Sequence, residues 1–180
     1  MQTTIHRFCF VLLVLSFQLS AATPVTGPVI ENFGPVFSVP EGSFNLDPKQ
    51  TYKVIMDIGK GPDDSAALNR SIETAARFLN MHARNGVKPE NLEFALVLHG
   101  SGVHAALNNE EYSEKFLVDN ANKKLIKALN KAGVSIYICG QSAAYNGYTA
   151  TQLLPEIEMA VSAMTVHVRL QQEGYQAILF

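Results

Sequence analysis

From Tyr52 onwards the chain alternates short β-rich runs with amphipathic helical patterns, and this alternation constrains its fold more than any other feature. The five β-rich runs read YKVIMDI, LEFALVLHG, VSIYICG, EIEMAV and YQAILF. Strands joined by helices need right-handed crossovers, which build a mainly parallel sheet with helices on both faces. The sequence therefore predicts an α/β fold, a three-layer sandwich around a mainly parallel five-stranded sheet.

Polar residues at the ends of the helical patterns predict where the helices begin and stop. The loop after the first strand offers Asp63, Asp64 and Ser65 as caps for the first helix. Ser162 can cap the last helix, and Gly174 ends it. We therefore expect the first helix to begin directly after this acidic loop.

The first residues are typical of a secretory signal rather than of a folded domain. His6 and Arg7 precede an apolar run from Phe8 to Leu19, and the small residues that follow suit a signal peptidase. About a dozen apolar residues are too few to cross a bilayer, which takes roughly 20. Residues 1–22 are therefore predicted to be a signal peptide, with an uncleaved anchor as the alternative. The protein is predicted to be exported, either periplasmic or secreted.

Two segments are predicted to follow the signal peptide. Residues 23–50 are rich in Pro and Gly with short apolar islands, which is typical of an extended N-terminal arm. Such an arm must cover apolar surface, either on its own domain or on a neighbouring subunit. Residues 51–180 are predicted to form the α/β domain.

Composition and missing motifs exclude several classes of function. A hydrophobic content of 47% and a charged content of 17% are typical of a globular protein that can fill a core. The net charge of -2 offers no basic surface, so we expect no nucleic acid partner and no membrane contact after signal cleavage. No phosphate loop, CxxC or HExxH motif occurs, and the Gly100–Ala105 segment lacks the strand-end acid of a dinucleotide site. We expect neither a cofactor nor a metal.

An unpaired cysteine ends the third predicted strand. Removal of the signal peptide also removes Cys9 and leaves Cys139 as the one remaining thiol. A lone thiol in an exported protein indicates a reactive group, an intermolecular bridge or an inert buried residue. In parallel sheets ligands bind beyond the carboxyl ends of the strands, so Cys139 is expected at a rim that a partner can reach.

The end of the second strand carries a second group of candidate residues. Histidine ordinarily titrates near neutral pH, so His99 could pair with a thiolate or protonate a departing sulfur. The alternative is a histidine whose hydrogen bonds are satisfied by the backbone. Gly100, Ser101 and Gly102 could form a nest of backbone N–H groups that binds a small anion.

Four stretches resemble a known family, namely VLHGSGV at the second strand end, the ICGQS turn, LLPEIEMAVSA and LQQEGYQAIL. From Tyr52 to Phe180 the chain resembles the DsrE/DsrF-like sulfur-relay family, in its exported subgroup. The resemblance implies a DsrE-like α/β sandwich that assembles as a homo-oligomer, a trimer or a hexamer. His99, Gln141 and Asn146 match residues that are typical of the subgroup, and Gln141 and Asn146 are expected to take part in binding.

The resemblance implies a sulfur carrier. In sulfur-relay relatives a strand-end cysteine accepts sulfane sulfur as a persulfide and passes it to a partner protein, and Cys139 matches that cysteine by position. The chain departs from the classical relays in its predicted export, because their donors and acceptors are cytoplasmic. Two alternatives stay open: a thiol redox protein, and a non-catalytic oligomer that binds a small ligand.

Overall fold

The structure, a computed structural model, describes residues 22–39 and 45–179, so the predicted signal peptide lies almost wholly outside the described residues. The strands in this part of the chain are β1 (Tyr52–Ile58), β2 (Leu92–Leu98), β3 (Ser135–Cys139), β4 (Glu158–Ala160) and β5 (Gln176–Ile178). The α-helices are α1 (Arg70–Arg84), α2 (Asn109–Phe116), α3 (Lys123–Lys131), α4 (Gly140–Tyr145) and α5 (Ala163–Gln172). Short 3-10 helices span Pro89–Asn91, Gly100–Ala106 and Ala150–Gln152. No helix in the described ranges is both long and apolar enough to cross a membrane.

The five strands form one sheet in the order β4-β3-β2-β1-β5, and every neighbouring pair is parallel. Ile58 pairs with Leu98, which pairs with Ile138, so the carboxyl ends of β1, β2 and β3 lie level with one another. The predicted α/β sandwich with a five-stranded sheet is therefore confirmed, and the sheet is parallel throughout.

Alternating side chains along the strands pack against helices on opposite faces of the sheet. One face of β1 carries Val54 and Met56, which belong to the main core together with the buried residues of α1 and α3. The other face carries Ile55, which packs with Val166 and Leu170 of α5. The α5 helix thus covers the face of the sheet opposite the main core.

The first helix begins later than the sequence indicates. The predicted start at residues 63–65 is wrong, because Asn69 caps α1 and its Oδ1 accepts the N–H of Ser71 at 3.0 Å. The carboxylate of Asp64 instead accepts the N–H of Ala66 at 2.9 Å and closes a turn within the loop. The loop after β1 is consequently longer than predicted and lies along the rim of the sheet.

The arm residues 22–39 lie against α1 of the same chain. Ile30 is 3% exposed and Val36 is 5% exposed. The side chain of Asn80, which is fully buried on α1, accepts the N–H groups of Val29 and Ile30 and donates to three carbonyl oxygens of the arm, those of Ile30, Phe33 and Gly34. This part of the arm therefore covers its own domain.

We expect Asn80→Ala to release the arm from α1. The substitution removes five hydrogen bonds to the arm backbone. Each lost bond costs roughly 1 kcal/mol where water does not replace the missing partner. If water replaces some of the five, the free energy of unfolding should fall by about 3 kcal/mol. Urea unfolding and limited proteolysis of the arm measure the effect. Asn130→Ala, at an exposed helical position on α3, is the control, and equal protease resistance in both variants would contradict the prediction.

Candidate functional site

Three loops meet at the carboxyl end of the sheet. The N–H of Gly61, after β1, donates to Oγ of Ser101 at 3.1 Å, and the N–H of Gly100, after β2, donates to Oγ of Ser142 at 3.2 Å. The structure thus brings together the loops that follow β1, β2 and β3, as expected for parallel strands. Candidate side chains from all three loops lie within this rim.

Cys139 is the last residue of β3 and directly precedes α4. The residue is only 6% exposed, so the expectation of a thiol open to a partner at the rim is wrong. Its surroundings are polar, however, because the first residues of α4 and of α5 present backbone N–H groups to the sulfur. The thiol is therefore buried beneath two helix N-termini, where orphan N–H groups favour negative charge.

Competing effects act on the pKa of the Cys139 thiol. Burial raises it, because an ionised sulfur is poorly solvated there. Hydrogen bonds to the sulfur lower it, first from the N–H and the hydroxyl of Ser142 and then from the N–H groups of Ala163 and Gln141. The hydrogen bonds prevail and the pKa is lowered from its ordinary value, which increases the fraction of nucleophilic thiolate at neutral pH.

We expect Ser142→Ala to raise the pKa of Cys139, because the hydroxyl that donates to the thiolate is lost. At any pH below that pKa the thiolate fraction falls, so alkylation by iodoacetamide should become slower and its pH profile should move to higher pH. Ser101→Ala is the matched control, since its hydroxyl accepts the Gly61 N–H instead. Identical profiles for the Ser142 variant and the wild type would contradict the role given to this hydroxyl.

The contacts of His99 run toward β1 rather than toward the thiol. Its Nε2 lies 3.8 Å from Oδ1 of Asp57, and its ring lies against Gly59, where an added Cβ would sit 2.9 Å from Cε1 of the ring. His99 follows β2 in extended conformation and is half-buried. The predicted pairing of His99 with the thiolate of Cys139 stays a prediction.

Asp57 and His167 are two site residues that the sequence reasoning missed. Nε2 of His167, on α5, donates to Oδ1 of Asp57 at 2.6 Å. A signal was present for Asp57, because the alternation of β1 places it on the same face as the buried Ile55, where an apolar residue is expected. For His167 no local pattern indicates a hydrogen-bond partner 110 residues away in the sequence.

The predicted anion nest already uses two of its N–H groups. The N–H of Gly100 donates to Ser142, and that of Gly102 donates to the carbonyl oxygen of His99 at 2.9 Å. Both glycines also lie close to the backbone of β1, since a Cβ on Gly100 would be 2.5 Å from the carbonyl oxygen of Gly59. Close packing on β1 thus explains these glycines, and anion binding by them stays a prediction.

A cavity of about 450 Å³ opens beside the rim. Its lining includes four of the five predicted binding residues, Gly100, Ser101, Gln141 and Asn146, together with His104, Ser142 and Tyr145. The fifth, Gly102, is buried against β1. Because Ser142 also donates to the sulfur of Cys139, the cavity and the thiol share one side chain.

His104 is the imidazole that lines this cavity. Its Nδ1 lies 2.8 Å from the hydroxyl of Tyr148, which holds the ring in place. Burial, and to a lesser extent the charge of Lys115, lowers the pKa of His104, which favours the neutral ring. In the part of the chain that the structure describes, the cavity lining is polar and includes no Asp, Glu, Lys or Arg side chain.

Within residues 22–39 and 45–179, no group of three or more His, Cys, Asp or Glu residues is placed to hold a metal ion. The reactive groups at the rim are the thiol, the imidazoles and the carboxylate described above.

Comparison with known proteins places this geometry in a family. The chain resembles two solved structures, a protein of unknown function, MTH1491, from Methanobacterium thermoautotrophicum and the ychN protein from E. coli. The first is 19% identical with a TM-score of 0.54, and the second is 17% identical with a TM-score of 0.52. Each alignment covers 71% of this chain and 97% of the other, which shows a shared fold. No curated protein matches the chain. The sequence model of the DsrE/DsrF-like family matches residues 53–180, and the chain belongs to that family.

Proposed function

We propose that the protein is an exported sulfur carrier, sulfurtransferase-like in its chemistry, that accepts sulfane sulfur as a persulfide on Cys139. Membership of the DsrE/DsrF-like family supports a sulfur-relay-related role at the family level. The observation that carries the finer proposal is the set of donors around the sulfur of Cys139, which lowers its pKa although the residue is buried.

The proposed uptake of sulfur is a thiol–persulfide exchange. The thiolate of Cys139 attacks the outer sulfur of a donor R–S–SH, a new S–S bond gives Cys139–S–SH, and the donor S–S bond breaks with its electron pair on R–S⁻. Because Cys139 is only 6% exposed, a small sulfane compound suits this step better than a bulky protein thiol. The polar cavity beside Ser142 offers space for such a donor.

Export and assembly complete the proposal. Export is supported by the signal-like pattern of residues 1–22. Assembly as a homo-oligomer, a trimer or a hexamer, is supported by exposed apolar side chains beside and on α5, with Val161 72% exposed, Met164 76% exposed and Val168 57% exposed. A protein that accepts the sulfur in a second step would be the remaining partner.

A second candidate function is a non-catalytic module that binds a small ligand. The cavity of about 450 Å³, lined by residues from the loops after β2 and β3, favours it. The two functions differ in their dependence on the thiol, since alkylation of Cys139 should block sulfur uptake but leave a purely binding function in place.

The test of the proposed function is the intact mass of the reduced protein after incubation with inorganic polysulfide. We expect a mass gain of one or more sulfur atoms that dithiothreitol removes, because persulfide sulfur is released by thiol exchange. Iodoacetamide treatment of a parallel sample shows whether the thiol can be reached. A protein that is alkylated but gains no sulfur would overturn the proposal.

A further inference from the structure

Three polar side chains stand in order across three neighbouring strand ends. Cys139 ends β3, His99 follows β2, and Asp57 precedes the end of β1. Two positions before them stand Tyr137, Val97 and Ile55, in the same order, and these three residues lie on the face that α5 covers. Alternate positions of a strand share a face. A nucleophile, an imidazole and a carboxylate therefore follow one another along the α5 face of the rim.

The carboxylate of Asp57 faces two imidazoles through one oxygen. His167 donates to Oδ1 at 2.6 Å, and Nε2 of His99 lies 3.8 Å from the same atom. An ionised carboxylate only accepts hydrogen bonds, so His167 donates to it through Nε2–H. At 3.8 Å His99 is outside direct hydrogen-bonding distance, and the negative charge favours the tautomer that turns Nε2–H toward Asp57. In neutral His99 this leaves Nδ1 as the basic nitrogen.

The chain makes room for the His99 ring at Gly59. A Cβ at that position would lie 2.9 Å from Cε1 and 3.2 Å from Nε2 of the ring, so any larger residue would displace it. The backbone of Gly59 does not have a positive φ, and therefore no turn requirement explains the glycine. Its lack of a side chain is what allows His99 to lie beside Asp57.

We propose that Asp57 and His167 are positioning residues that hold His99 for proton transfer to the thiolate that departs when Cys139 takes up sulfur. This inference rests on the proposed function. In the step, Nδ1 of neutral His99 takes the thiol proton of Cys139, and the imidazolium so formed gives this proton to R–S⁻, which leaves as R–SH. The imidazole remains in the Nε2–H form, which the carboxylate of Asp57 stabilises while staying ionised.

Other charged groups near this arrangement are already paired or lie outside it. Lys60, in the loop after β1, forms an exposed ion pair with Asp63 at 3.0 Å. On α5, Arg169 pairs with Glu173 at 3.2 Å. The carboxylate of Asp57 is thus the negative charge that faces His99 from β1, and His167 is the group that faces Asp57 from α5.

The ¹⁵N spectrum of the histidine rings tests the positioning without any sulfur chemistry. We expect His99 to be in the Nε2–H tautomer in the wild type and in a mixture of tautomers in Asp57→Ala. His104 is the internal control, because Tyr148 rather than Asp57 contacts its Nδ1. An unchanged His99 tautomer in Asp57→Ala would overturn the proposal.

Sulfur uptake from a small persulfide tests the chemical role. Asp57→Ala and Gly59→Ala should each slow uptake by about tenfold or more, the scale of a weakened general acid. His167→Gln keeps an N–H donor for Asp57 and should retain most of the rate, whereas His167→Leu should not. Equal rates in the two His167 variants would overturn the role of His167. If the wild type gains no sulfur, the proposed function fails, and the ¹⁵N spectrum still decides whether Asp57 positions His99.

Discussion

Replacing Cys139 with serine is expected to abolish the mass gain after polysulfide treatment completely. A serine hydroxyl is not ionised near neutral pH and forms no stable bond to sulfane sulfur, so the acceptor atom is lost. The fold should survive, because the serine oxygen can accept the same hydrogen bonds from Gln141, Ser142 and Ala163. The free energy of unfolding in urea should therefore change by about 1 kcal/mol or less.

The matched control for this variant is Cys9→Ser, since the chain contains two cysteines in all. Cys9 lies in the predicted signal peptide, so in the protein that keeps this segment its replacement should leave the sulfur mass on Cys139 unchanged. Persistent sulfur mass on Cys139→Ser, together with normal folding, would contradict Cys139 as the carrier. A loss caused by unfolding would show in the urea transition of the same sample.

The sheet could be predicted because its strands carry their burial pattern in their own residues. In β2 nearly every position is buried and in β1 more than half are, as helices cover both faces, and in β3 the run ends at Cys139. Helical segments between such runs leave few topologies other than parallel crossovers. The fold class was thus predictable from local pattern and from the rules of chain connection together.

The start of α1 could not be predicted because a distant residue decides it. Asp63, Asp64 and Ser65 are good caps locally, as is Asn69. Asn69 prevails in a buried position where its N–H donates to Oδ1 of Asn122 at 2.8 Å, across 53 residues of sequence. No local pattern contains that bond.

The candidate site, like the fold, was predictable from the sequence only in part. The loops and most of their binding residues could be placed from the rule that parallel strands end at one rim, and four of them do line one cavity. The burial of Cys139 depends on how α5 returns over β3, and the bond between Asp57 and His167 depends on the same return. Tertiary packing of α5 therefore set the features that sequence reasoning missed.

The glycines of the rim show how packing density acts on function. The 3-10 helix Gly100–Ala106 crosses the end of β1 and carries Ser101 and His104 to the cavity. That crossing is so close that an added methyl group on Gly102 would overlap the carbonyl oxygen of Ile58. The position of the cavity lining relative to the sheet thus depends on the absence of one side chain.

Gly102→Ala is accordingly expected to destabilise the protein by about 3 kcal/mol or more, because the overlap is with the backbone of a central strand and no side chain can move aside. For a chain of this length the thermal midpoint should fall by roughly 6–12 °C, and calorimetry measures it. Gly61→Ala is the matched control, since its Cβ would meet the carbonyl group of Ser101 at a longer distance, 3.2 Å from the oxygen, than the Cβ of Gly102→Ala would meet the oxygen of Ile58. Gly61, like Gly102, lacks a positive φ, so backbone strain does not separate the two variants. Similar thermal midpoints for both would mean that the 3-10 helix can move away from β1, and that its close contact does not hold the cavity in place.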